Sequence, residues 1–337
     1  MSQHFQKVFL QTDPFTDILG QDRTKHQLKS ALLMDRHLII LGPPGIGKTT
    51  LAKNAAKLLP TMTLNDCQYH CDPEQPLCPE CKTKKIKIKK VTGEERFVRV
   101  QGSPDLTVED LMGDIDPVKA LQYGPTSIQA FTPGKIFKAN QGILFFDEVN
   151  RCPEKLQNAL LQVLEEGKAT LGAYTIELPA NFIFIGTMNP EETAATEKLS
   201  DVFMDRFDIV HMSHPENLEI EKQIVKEKGQ KLNVTFEDEL ISLAVLFVRL
   251  LREHKNILKK PSVRASIGIY ERAQANAFLA KRKTVTTEDI TEAIISVLAH
   301  RIELKPSVKY LQTNEEFLKE QFDSFSGQHP ELGGGRL

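Results

Sequence analysis

Eight consecutive residues, Gly42-Pro43-Pro44-Gly45-Ile46-Gly47-Lys48-Thr49, have the types and spacing of a phosphate-binding loop. In the pattern G-x-x-x-x-G-K-T, successive backbone N–H groups point inward and cradle a β-phosphate. The glycines permit φ angles that a side chain forbids. Lys48 would reach the β- and γ-phosphates, the Thr49 hydroxyl would hold Mg²⁺, and Thr50 completes the set facing ATP. A strand must deliver such a loop and a helix must receive it. Residues 37–41, His-Leu-Ile-Ile-Leu, read as a buried strand, and residues 49–59 as a helix. That helix N-terminus adds free N–H groups and a positive dipole end. A Gly/Pro-rich turn matching by chance is the competing account, and this context weighs against it.

Four further patterns complete a nucleotide chemistry. Ile143-Leu144-Phe145-Phe146-Asp147-Glu148 is an apolar strand ending in two acids. Asp147 would approach the Mg²⁺ as the Walker B residue, and Glu148 would polarise the attacking water. Ile183-Phe184-Ile185-Gly186-Thr187-Met188-Asn189-Pro190 is a second strand ending in a polar group, and Asn189 could donate to the water or the γ-phosphate. Asn-Pro after a strand is otherwise a common turn. Arg206, within Met204-Asp205-Arg206-Phe207-Asp208, would act as an arginine finger in a neighbouring subunit's site, against the plainer reading of a surface ion pair. Arg264, in Pro261-Ser262-Val263-Arg264-Ala265-Ser266, opens a helix and would report the γ-phosphate to a second domain.

A different chemistry is written in Cys67-x-x-x-Cys71-x-x-x-x-x-x-Cys78-x-x-Cys81. Four thiolates suit tetrahedral Zn²⁺, and His70 is a possible substitute ligand. The segment has little apolar content, so metal would supply its folding energy. Four reduced surface cysteines or an iron–sulfur cluster are the alternatives. Cys152 stands apart and reads as a packed thiol.

The elements that must position these groups form an α/β pattern. Strands at 37–41, 142–146 and 181–186 are dense in Ile, Leu and Phe, as strands of a parallel sheet buried on both faces should be. Residues 1–212 form the nucleotide-binding domain, with a cysteine-rich insertion at 66–82 and a basic hairpin at 84–100. From Pro215 only helices are expected, at 240–251, 266–282, from Thr287 to about Arg301, and at 314–325. They make a small all-α lid over 213–303, followed by a tail over 304–337 whose closing Gly-Gly-Gly-Arg-Leu is expected to be mobile. The 337 residues carry 43 Lys plus Arg against 45 Asp plus Glu. Near neutrality gives no support to nucleic-acid or membrane-surface binding. No 18-residue apolar run and no signal-peptide core stand in the chain, so a cytoplasmic protein without membrane insertion is expected.

The order of phosphate loop, Asp-Glu strand, Asn sensor, Arg finger and helical-domain Arg resembles the AAA+ ATPases. The resemblance runs from Phe15-Thr16-Asp17-Ile18-Leu19-Gly20-Gln21 to the end of the lid. Within that superfamily the chain is similar to the branch of the magnesium-chelatase ATPase (I) subunit and the MoxR proteins. Asp110-Leu111-Met112-Gly113-Asp114-Ile115-Asp116 and residues 131–142, beginning Phe131-Thr132-Pro133-Gly134-Lys135, look like the chelatase pattern. Asp147-Glu148-Val149-Asn150-Arg151-Cys152-Pro153 looks like the MoxR form. The resemblance implies an ATP-hydrolysing, chaperone-like motor built as a ring, commonly of six subunits, with ATP and Mg²⁺ at the interfaces. It implies β-hairpin insertions, expected from residues 103–135. It also implies a separate partner chain with a von Willebrand factor A domain. A true magnesium-chelatase subunit and a helicase-like nucleic-acid motor are the rival readings. The second of these has only the basic hairpin in its favour.

Overall fold

The computed structural model describes residues 2–11, 14–76, 78–84, 86–125, 127–170, 177–189, 199–329 and 332. The Gly-Gly-Gly-Arg-Leu terminus lies outside the described residues. The chain divides into two compact units. The first comprises Met1–Ile18, Asp22–Gly42 and Gly47–Met212, and the second Leu19–Gln21, Pro43–Ile46 and Ser213–Leu337.

The first unit is built on five strands: β1 (Leu38–Leu41), β2 (Phe97–Gln101), β3 (Ile143–Asp147), β4 (Ile183–Met188) and β5 (Asp208–His211). Their order is β5-β1-β4-β3-β2, and every pair is parallel. A parallel sheet covered by helices on both faces needs apolar side chains on both, and Leu38, Ile39, Leu144, Phe145, Phe184 and Ile185 are fully buried. Helix α1 (Lys48–Lys57) follows β1, α2 (Lys135–Lys138) precedes β3, and α3 (Glu154–Glu166) follows it. β4 starts later than residue 181, because Asn181 is engaged elsewhere. Its amide donates to Asn140 Oδ1 at 3.1 Å, and its carbonyl accepts from the Gln141 amide at 2.6 Å.

The basic hairpin expected at 84–100 is not there. Ile88–Val91 pairs antiparallel with Met62–Asn65, whereas Phe97–Gln101 joins the central sheet as β2. The cause is Arg96, which lies in a short helical turn between them and is fully buried. Its guanidinium donates to the carbonyls of Thr92 (3.2 Å), Gln141 and Pro60. That anchor turns the chain away from itself and commits Val98 and Val100 to β3. Lysine alternation masked the change of partner.

Residues 103–135 do contain an antiparallel pair, Gly113–Ile115 with Phe131–Pro133, carrying the helix Pro117–Tyr123 between its strands. A second pair, Lys168–Thr170 with Glu177–Pro179, was not foreseen.

The second unit packs α4 (Leu218–Lys228), α5 (Asp238–Glu253), α6 (Val263–Leu279), α7 (Thr287–Leu298) and α8 (Asn314–Gln328). Leu243, Phe247, Ile269, Ile290, Phe317 and Phe322 share one core. Thr286 caps α7, and its box with Asp289 satisfies the first-turn amides. The unit is not purely helical: Ile257–Lys259 pairs antiparallel with Glu303–Leu304. Glu221 is fully buried on α4 and accepts from Arg252 (2.6 and 2.7 Å) and Ser266 (2.6 Å).

Candidate functional site

Parallel strands end at one edge, so residues far apart in sequence meet there. The register sets Leu41 of β1 opposite Met188 of β4, Gly186 of β4 opposite Phe146 of β3, and Gln101 of β2 opposite Asp147 of β3. The phosphate-loop residues of this unit, the acid pair and Asn189 therefore leave neighbouring strands on one side. Gly45 and Gly47 take φ of 75° and 103°, values open to glycine at little cost. Lys48 begins α1 and turns back over the loop, donating to the Gly42 carbonyl at 2.5 Å and to the Met188 carbonyl at 3.3 Å. Thr49 is half-buried and Thr50 exposed in the first turn of α1. A left-handed Gly47, a lysine folded over the loop and a helix N-terminus fit an anionic phosphate chain, and the Asp147 carboxylate at the next strand end but one fits its Mg²⁺.

The acid pair is held more tightly than its sequence shows. The Thr187 hydroxyl, on β4, donates to Asp147 Oδ1 at 2.6 Å and accepts from the Glu148 amide at 3.0 Å. Two side chains of β2 face the same acids. Arg99 Nη2 donates to Asp147 Oδ2 at 2.6 Å, and Gln101 Nε2 donates to Glu148 Oε2 at 3.0 Å. Arg151 Nε lies 3.2 Å from the same Glu148 oxygen. Gly102 makes the close approach possible: a Cβ there would stand 2.1 Å from the Glu148 carbonyl oxygen. Glu148 itself has φ 55°, unusual for a side-chain-bearing residue and placed where the strand stops. Thr187, Arg99 and Gln101 were not singled out in the sequence. The only signal was a polar residue recurring at alternate positions near a strand end.

Asn189 sits half-buried one residue past β4. Arg206 lies between the helix Asp201–Met204 and β5, half-exposed, with Nε donating to Glu165 Oε1 at 2.8 Å and Nη1 3.6 Å from Asp205. Arg264 belongs to the second unit, as Gly45 does. A Cβ on Gly45 would meet Ser262 Oγ at 2.8 Å and the Arg264 side chain at 3.0 Å.

The sulfur atoms of Cys67, Cys71, Cys78 and Cys81 all lie within 4.8 Å of one another. His70 is not part of this group, which corrects its reading as a substitute ligand: its backbone is left-handed at φ 48° and its buried Nδ1 makes no hydrogen bond among the described residues. Burial lowers its pKa. Hydrogen bonding from Cys71 brings the Cys67 thiol down to about 5, while burial pushes Cys81 up to about 12. Four sulfurs this close repel one another as thiolates, and a bound cation would offset that repulsion. Cys152 is fully buried in the sheet core.

Sheet order, loop and acid pair together define a P-loop ATPase fold of the AAA class. The signature described as "ATPase family associated with various cellular activities (AAA)" matches residues 76–209, an AAA lid domain matches 251–321, and "Magnesium chelatase, subunit ChlI" matches 14–71. The chain is 30% identical to the chloroplastic magnesium-chelatase subunit ChlI-2 of Arabidopsis thaliana, over 87% of this chain and 76% of that protein. It is 28% identical to the magnesium-chelatase subunit ChlI homolog of Methanocaldococcus jannaschii, covering 94% and 92%. A solved chain from the complex between subunits BchI and BchD of magnesium chelatase shares the fold with a TM-score of 0.51 and 21% identity, covering 90% and 98%. The chain belongs to the magnesium-chelatase ChlI family of AAA ATPases. Among the described residues no helix is long and apolar enough to cross a membrane.

Proposed function

We propose that this chain binds and hydrolyses ATP as a ring motor, remodelling a partner protein or driving metal-insertion machinery. The observation that carries it is the Thr187 bridge to Asp147 and Glu148, on the strand beside the one that delivers the phosphate loop. Residues 42–49 would cradle the phosphates, with Lys48 on the β- and γ-groups. Thr49 and Asp147 would hold Mg²⁺, which when bound neutralises charge building on the phosphate oxygens. Glu148 orients the attacking water as its base, with Gln101 and Arg151 fixing its carboxylate. Asn189 donates to that water or to the γ-phosphate. Arg206 completes a neighbouring subunit's site, and Arg264 carries the nucleotide state into the helical unit. The proposal includes a hexameric ring, a separate partner of the von Willebrand factor A type, and a structural zinc ion on Cys67, Cys71, Cys78 and Cys81 that takes no part in this chemistry.

The test is ATPase rate against protein concentration, with mass photometry of the same samples with and without ATP. Turnover per chain rising with assembly is the expected result. A flat rate from monomers would sink the ring motor and return Arg206 to a surface ion pair. Family membership favours one second reading, ATP-coupled insertion of Mg²⁺ into a porphyrin. Stimulation of such a chelation by this chain would select it.

A further inference from the structure

Around one tetrahedral zinc ion, with Zn–S about 2.3 Å, sulfur atoms stand about 3.8 Å apart. The four sulfurs here lie within 4.8 Å of one another, so small side-chain rotations bring them onto one ion. A cluster of several irons would spread the thiolates farther. None of the four is in a disulfide. Three backbone amides already donate to the sulfurs: Cys71 to Cys67 Sγ at 3.3 Å, Cys78 to Cys71 Sγ at 3.4 Å, and Cys81 to Cys78 Sγ at 3.4 Å. Such donations favour thiolate and orient it, as groups around a metal ligand do. Four protein ligands leave no open position, so the ion would be structural rather than catalytic. Cys67 and Cys78 also line a cavity of about 490 Å³ shared with Tyr123 and Phe131, which gives an ion a route to the sulfurs.

The cysteine segment touches the sheet core through Tyr69. Tyr69 packs on Phe137 of α2 with ring centroids 5.9 Å apart, and its carbonyl accepts from Asn140 Nδ2 at 3.4 Å. Asn140 Oδ1 in turn accepts the Asn181 amide. Asn140 and Asn181 stand just before β3 and β4, at the ends opposite Asp147 and Asn189. Tyr69 sits between Cys67 and Cys71, so the geometry of two ligands sets where it points.

We infer that a single zinc ion on these four cysteines acts as a clamp, holding Tyr69 against Phe137 and Asn140 at the starting ends of β3 and β4. The clamp rests on the zinc reading given above, and the two fail separately. The experiment uses the full chain. Elemental mass spectrometry should find about one zinc per chain, and cobalt replacement should give the ligand-field and thiolate charge-transfer bands of a tetrahedral four-sulfur centre. Iron with sulfide, no metal, or a cobalt spectrum with a nitrogen ligand overturns the assignment. Amide hydrogen exchange is then compared before and after chelation. Exchange should quicken about tenfold or more around the cysteines and at 135–141, with nucleotide binding at the Lys48 loop retained. Tyr69→Ala, still holding zinc, should quicken 135–141 alone. Zinc present, but no change at 135–141 in either sample, overturns the clamp and leaves the metal site standing.

Discussion

Thr187 holds Asp147 through a 2.6 Å hydrogen bond, and the same hydroxyl accepts the amide of Glu148. Valine has the same shape and neither bond. A hydrogen bond to a charged group contributes about 1.5–3 kcal/mol, so Thr187→Val should lower ATP turnover by about ten- to a hundredfold. Binding of a fluorescent ATP analogue should change far less, because the phosphate loop is untouched. Equal losses in binding and turnover would make Thr187 a residue of fold stability only.

Lys48 and Glu148 should separate binding from hydrolysis. Lys48→Ala should abolish ATP binding in equilibrium titration; retained tight binding would refute the phosphate-loop assignment. Glu148→Gln should bind ATP and hold it unhydrolysed, with turnover down by about 10²–10⁴ as for loss of a general base. Normal turnover in that variant would move water activation elsewhere.

Arg206 is held within its own chain by Glu165 and Asp205, both of which it must leave to serve a neighbour. Arg206→Ala should lose about 10³-fold in turnover while each chain still binds ATP. Mixing it with Lys48→Ala should restore part of the activity, since a mixed ring pairs an intact loop with an intact finger. No recovery in any mixing ratio places the role in doubt. Glu165→Gln should keep turnover or raise it, because it frees the guanidinium.

His214 should make the fold sensitive to mild acid. Burial first, and Arg252 second, bring its pKa down to about 4, and its Nδ1 has no hydrogen-bond partner among the described residues. The unfolded chain regains the ordinary value of about 6.5. Between those values the unfolded chain takes up a proton that the folded chain refuses. Stability therefore falls as pH drops from about 6.5 to about 4 and is unaffected by this group above that window. His214→Gln should flatten that part of the curve, read as urea midpoints at about pH 7 and about pH 5. An unchanged slope would assign the acid sensitivity to other groups.

The phosphate loop, the Asp147-Glu148 strand and the four cysteines were readable because each is local: a few neighbouring residues carry both the turn and the chemistry. Arg99 and Gln101 were not, because their role depends on β2 lying beside β3 in one register. Nothing near Arg99 announces that partner, and the lysines just before it suggested another. The buried Arg96 explains the failure physically. A guanidinium satisfied by three backbone carbonyls looks, in sequence, like one more charge on a basic face. Glu165 likewise lies 41 positions from Arg206, and only the packing of α3 beside the turn before β5 joins them.

The strand order also governs how the chain emerges from a ribosome. β1 is made early, yet both of its neighbours, β4 and β5, come after residue 182. At about 5–20 residues per second, the finished phosphate loop waits roughly seven to thirty seconds for the strands that flank it. During that interval an apolar strand has no partner in the sheet, and nucleotide has no assembled site with which to stabilise it. Arrested nascent chains ending near residue 180 should be protease-sensitive whatever the ATP concentration. Those with β5 clear of the exit tunnel should be the first that ATP protects. Translation thus sets the moment at which the loop first gains the strands that flank it.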